Sequence, residues 1–249
     1  MRRECFASRA RPRYALGTMN APGLPPAKLA SGSIPGHLVS QTLPAIIGVA
    51  AIMSIGIVDA YFIGQLGREP LAAISFIFPV AVACTSLGVG VMVGINSVVA
   101  RALGEGDVTR AARCANFGIV FACACGVMMG LALWLAIDPI FAAMNAPLHL
   151  MPLIRAYMTP YSMGFPLSLV IMGFNGVLRG QGEAKRTSTI SIAYAAANWV
   201  LNPVLITGAF GFEGFGIAGS ASATAIGWGM GALTAIALLR GTSLPLNFG

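Results

Sequence analysis

Charge is scarce in this sequence. Only 9% of its 249 residues are Asp, Glu, Lys or Arg, against roughly a quarter in a soluble domain. With 57% hydrophobic residues and a mean hydropathy of +0.80, the composition excludes a water-soluble globule and places the chain in a bilayer. Metal-ligating residues are sparse as well. His37 and His149 both lie outside the apolar runs, and Cys5, Cys84, Cys114, Cys123 and Cys125 form no C-x-x-C pair, so a zinc site lacks ligands. The net charge of +7 comes from basic residues in the gaps between apolar runs, which does not make the basic stripe of a nucleic-acid binder. Glycine and methionine, by contrast, are abundant at 31 and 12 residues, a composition suited to close helix packing and adaptable apolar surfaces.

Six apolar stretches, at about 43–63, 72–100, 115–137, 156–178, 188–207 and 216–239, are long enough to cross hydrocarbon roughly 30 Å thick. The expected fold is therefore all-α and polytopic, with six transmembrane helices. GQLGREP, RALGEGDVTRAAR, NAPLHLMP, RGQGEAKRTS and GAFGFEGFG carry turn and charge signals between them. Thirteen of the fifteen Lys and Arg residues fall before the first span or after the second, fourth and sixth, leaving only Arg68 and Arg155 in the alternate loops. Because cytoplasmic loops accumulate Lys and Arg, both termini are expected in the cytoplasm. Residues 1–36 read as a basic, disordered tail or as the product of a start assigned upstream of Met19. Residues 37–241 hold the six spans, and 242–249 read as a truncated linker.

Asp59 is the only acidic residue in the first span. A charged Asp near the centre of a membrane helix costs roughly 2.5–3.5 kcal/mol on insertion scales, so it normally faces a cavity or partner and often takes up a proton or ion. At about 1.5 Å of rise per residue, Asp59 lies about 24 Å along its outward-running span. Asn198 and Asn202 lie about 15 and 21 Å along the fifth, near the same level. Tyr157 and Ser220 stand near the outer ends of the fourth and sixth. Ser191, Ala195, Asn198 and Asn202 form one small, polar stripe by their spacing of four, three and four. Asn175 shares the azimuth of Tyr157 about 27 Å deeper, where it could line only the inner end of a long cavity.

Each of these has a plainer reading. Membrane asparagines often only bond a neighbouring helix, a tyrosine near a span end often anchors at the interface, and the row Gly216, Ser220, Thr224 marks close helix contact. Asp59 has the weakest such reading, because no Lys or Arg lies inside another span to pair with it. Pro79, Pro160, Pro166 and Pro203 free backbone carbonyls within spans. Gly90–Gly94, Gly126–Gly130 and Gly176–Gly180 are G-x-x-x-G spacings, a frequent signal.

The set VDAYFIGQLG, VARALGEGD, GVLRGQGEAKRT, NWVLNPVLI and GIAGSASAT, in that order over about residues 40–241, resembles the amino-terminal half of a multidrug and toxic compound extrusion (MATE) transporter. The resemblance implies two six-helix lobes in the bacterial inner membrane and export of amphipathic, often cationic, drug-like compounds coupled to H+ or Na+. It implies no cofactor and no enzymatic activity. It places Asp59 as the carboxylate that binds the proton or cation, Tyr157, Asn198 and Ser220 as its hydrogen-bonding partners, and Asn175 as a substrate-cavity residue. Asn202 stands where one proton-coupled branch has a second aspartate, and Ser220 replaces a threonine. On this resemblance the chain is one lobe, expected to act with a missing carboxyl-terminal lobe or a second copy of itself. The rival readings are a six-span channel and a structural membrane subunit. An aquaporin-like channel needs a second Asn-Pro pair beside Asn202-Pro203, and none exists. An intramembrane serine protease needs a base for Ser220 or Ser222, and no span holds His or Lys.

Overall fold

A computed structural model describes residues 34–208 and 214–239. The elements are α1 (Ile34–Gln65), α2 (Arg68–Gly104), α3 (Val108–Leu135), the short α4 (Ile137–Ala143), a single 3-10 turn (Leu148–Leu150), α5 (Met151–Gly180), α6 (Ala184–Thr207) and α7 (Ile217–Leu239). All but α4 and the 3-10 turn are long and apolar enough to cross a membrane, giving six candidate spans. There is no strand among the described residues. The Arg-rich segment before residue 34 and the 242–249 linker lie outside them.

Two details differ from the sequence expectation. The first helix begins at Ile34, three residues inside the segment assigned to a disordered tail. Pro35 sits in its first turn, where a missing N–H leaves no helical bond unmade. The third span, expected to run to residue 137, stops at Leu135, and the chain restarts as the seven-residue α4. Asp138 and Pro139 occupy the first turn of α4, where a carboxylate and a proline both favour helix initiation. Asp138 accepts from Arg155 at 2.7 Å, an exposed pair that holds α4 beside the start of α5.

The tight reversals have a common cause. After α2 the N–H of Gly106 donates to Leu103 and that of Asp107 to Ala102; after α5 those of Gly182 and Glu183 donate to Arg179 and Leu178. This is the Schellman pattern, which needs a left-handed residue just past the helix. Gly106 and Gly182 supply it at φ 77° and 74°. Asn145 closes α4 the same way at φ 53°. Thus the G-E-G-D and G-Q-G-E motifs are helix stops. Asp107 also caps α3 by accepting from the Arg110 N–H at 2.8 Å.

Large apolar side chains such as Ile57, Phe78, Phe117, Met128 and Leu233 point outward, while small ones fill the contacts between helices. Lipid is as apolar as leucine, so close backbone packing rather than hydrophobic transfer drives this arrangement. α5 is the central helix, packed on α2, α3 and α7, whereas α1 packs mainly on α6. A methyl at Gly126 would stand 2.8 Å from Cα of Pro166, and one at Gly130 2.6 Å from the Ser162 carbonyl. That carbonyl is four residues before Pro166, which has no N–H to offer it, so α3 lies against the break in α5. A methyl at Gly176 would likewise lie 2.7 Å from the Met92 carbonyl on α2. The third pair, Gly90 and Gly94, packs against nothing within 4 Å.

Candidate functional site

Polar bonds tie α1 to its neighbours near both ends. At the end near residue 41, Gln41 donates to the Gly182 carbonyl at 2.6 Å and Ser188 Oγ donates to the Pro44 carbonyl. A Cβ at Gly48 would stand 3.2 Å from Ser188, so the helices nearly touch there. At the other end Asp59 meets α6. Between these points α1 exposes Ile47, Met53 and Ile57.

At Asp59 the stripe on α6 becomes a chain of hydrogen bonds. Asn202 Nδ2 donates to Asp59 Oδ1 and, at 2.9 Å, to Asn198 Oδ1; Asn198 Nδ2 donates at 3.2 Å to Thr224 Oγ1 on α7. Asn198, Asn202 and Ser220 are 0% exposed and Thr224 is 6% exposed. A carboxylate on α1 is thereby linked through two amides to a hydroxyl on α7. Amides suit this role because each both donates and accepts. Ser220 stands beside both the Asp59 carboxyl and the Tyr157 hydroxyl, yet its Oγ closes no well-aligned hydrogen bond, and neither does Asn202 Oδ1. No Lys or Arg pairs with Asp59 among the described residues.

Five of the six residues singled out in the sequence, Asp59, Tyr157, Asn198, Asn202 and Ser220, therefore lie in one cluster. Asn175 lies elsewhere, near the opposite end of α5, its Oδ1 buried without a partner among the described residues. Three residues of the cluster were missed. Thr224 is an acceptor in the chain, and Tyr194 lies close enough to interact with Asp59 and Trp228. Trp228 packs edge-on against Tyr161 at 5.3 Å and Phe165 at 6.3 Å, and Tyr157 stacks on Tyr161 at 5.9 Å. Their signal was present: Ser220, Thr224 and Trp228 recur every four residues, and Tyr194 is one turn from Asn198.

The site has oxygen donors and aromatic faces, and no group of three His, Cys, Asp or Glu able to hold a metal occurs among the described residues. Oxygen-only surroundings suit a proton or a hard cation rather than a transition metal. Asn198→Ala removes the central link and strands both the Thr224 hydroxyl and one Asn202 contact. It is expected to destabilise the bundle by about 1 kcal/mol in detergent unfolding, whereas Val200→Ala, on the outward face of the same helix, should change little.

The MatE family model matches residues 44–204. The FAD transporter of Shewanella oneidensis is 32% identical over 200 residues, covering 80% of this chain and 44% of that protein. A probable multidrug resistance protein NorM of Burkholderia pseudomallei is 30% identical over 206 residues, covering 82% and 44%. The solved structure of a MOP superfamily transporter from Pyrococcus furiosus superposes with a TM-score of 0.83 at 27% identity, over 90% of this chain and 50% of that one. An outward-facing multidrug resistance MATE family transporter superposes equally well. The chain spans about half the length of these relatives, and what it spans is a six-helix bundle. With the family match covering residues 44–204 and the same fold in solved relatives, the chain belongs to the MATE family of transporters and forms one six-helix lobe of that architecture.

Proposed function

We propose that this lobe carries the ion-coupling site of a secondary active exporter in a bacterial inner membrane, exchanging H+ or Na+ for an amphipathic, cationic compound. The observation that carries the reading is the desolvated Asp59 carboxyl, bonded to Asn202 and facing Ser220 and Tyr157 with no basic partner among the described residues. When ionised it attracts a cation; once it takes up a proton or sodium that attraction is gone. A binding event with different affinity in two states is what shifts an alternating-access equilibrium. Asn202 Oδ1, buried without a partner among the described residues, and Ser220 Oγ, beside the Asp59 carboxyl, support ion uptake.

On this reading the cluster takes up and releases an ion without making or breaking a covalent bond, in keeping with the transporter family to which the chain belongs. No bound cofactor is needed. The helix ends that flank the α2–α3 and α5–α6 turns carry Arg101, Arg110, Arg113, Arg179, Lys185 and Arg186, which supports a cytoplasmic placement of that end and of both termini. A second lobe, supplied by a carboxyl-terminal partner or a second copy, completes the path. Asn175 belongs, on this reading, to the inner end of the substrate cavity.

The relative in Shewanella oneidensis named as an FAD transporter favours a second cargo, a flavin nucleotide. Proteoliposomes holding this chain with a complementing second lobe separate the cases. Efflux of a cationic dye under an imposed pH or sodium gradient is expected. FAD efflux in place of dye efflux would select the second cargo, and no flux of either under either gradient would overturn the coupling proposal.

A further inference from the structure

The unpacked pair Gly90 and Gly94 lies on the floor of a groove of about 920 Å³ between α2 and α3, away from the Asp59 cluster. Gly118 also lines it, but a methyl there would meet Ile95 at 3.0 Å, so the groove lies beside a normally packed helix contact rather than a loosely packed one. Phe117 and Phe121, stacked at 6.4 Å, form one wall. From Leu87 to Val98 the groove follows twelve residues of α2, a rise of about 16 Å. That is the depth of one leaflet, half of a hydrocarbon core about 30 Å thick.

Its end near the α2–α3 loop is basic. Arg110 and Arg113 both line it. Arg110 is partly engaged, with Nη1 2.6 Å from Glu105 Oε2, and a guanidinium has further donors to offer. Arg113 is exposed and pairs with no carboxylate among the described residues. We propose that this groove is a binding site for an anionic phospholipid, one acyl chain lying over Gly94 and Gly90 and the phosphate held by Arg113 and Arg110. A free anion has nothing to place in the apolar 16 Å, and a zwitterionic lipid gains less from two guanidinium groups. On the orientation proposed above, this end faces the leaflet where anionic lipids concentrate. The inference is otherwise independent of what the lobe transports.

Spin-labelled phosphatidylglycerol and phosphatidylcholine, compared on the full chain in phosphatidylcholine vesicles, give the test. The expected result is one motionally restricted site per chain preferring phosphatidylglycerol by about tenfold. The preference should fall below about twofold in the double variant Arg110→Gln, Arg113→Gln. It should fall equally in Gly94→Phe, which fills the groove, keeps both charges and enters open space; Gly90→Leu serves as a second filling variant. Equal binding of the two lipids would overturn the proposal. So would a preference that survives both filling variants, or one abolished by soluble phosphate alone. Cross-linking of Cys114, which lines the groove, to Cys114 of a second copy would assign it to an interface and overturn it too.

Discussion

Asp59→Asn is expected to reduce gradient-driven efflux by at least about a hundredfold, because a group that cannot change its charge gives the ion no differential affinity between states and so shifts no equilibrium. Shape and local bonding survive the change. An amide oxygen at the Oδ1 position still accepts from Asn202, so the Asn202–Asn198–Thr224 chain stays closed. Stability should hold or rise, since a carboxylate with no basic partner among the described residues is replaced by a neutral group that costs less to bury. The two readouts therefore move in different directions: transport is lost while the detergent melting temperature is unchanged or higher. Efflux at the native rate would remove Asp59 from the mechanism. A fall in melting temperature matching the fall in transport would make its role structural.

The bundle was legible because each span is a run of apolar residues long enough for hydrocarbon, and the stops were legible because glycine is needed where φ is positive, as at Gly106 and Gly182. α4 was not. Seven residues with a proline cannot declare a helix by periodicity, and its position depends on the Asp138–Arg155 pair, which joins residues 17 apart. The α6 stripe was readable from spacing alone, and so was the depth shared by Asp59 and Asn202. Which helix α1 would pack on was not readable, because its apolar residues lie all round it and the polar contacts at Ser188 and Asn202 that tie it to α6 join residues 144 and 143 apart in sequence. The three G-x-x-x-G spacings look alike in sequence, yet two press on α5 or α2 and one opens onto a groove. A small residue permits a contact without requiring it. Thr224 and Trp228 were passed over for a related reason, since a row of small residues every four positions reads as packing until its polar atoms are seen to face an amide.

Gly219, the residue just before Ser220 of that row, is the second position where a large effect is expected. A Cβ at Gly219 would overlap the Leu205 carbonyl of α6, the same oxygen that accepts from the Phe215 N–H at 2.8 Å. Backbone cannot turn aside as a side chain can, so any larger residue moves the first turn of α7 away from α6. Ser220 follows directly, and Thr224 lies little more than a turn further on, holding Asn198 at 3.2 Å, near the long limit for such a bond. Gly219→Val should therefore destabilise the bundle by about 1–3 kcal/mol, lowering the detergent melting temperature by about 5 °C, and should also break the Asn198–Thr224 link. Gly229→Ala is the matched control on the same helix, where the added methyl meets only Leu167 at an ordinary 3.9 Å. Equal melting of the two variants would mean that α6 and α7 can separate without cost. In that case the amide chain could not be fixed by their contact, and the alignment of Asp59 with Thr224 would have to depend on α1 alone.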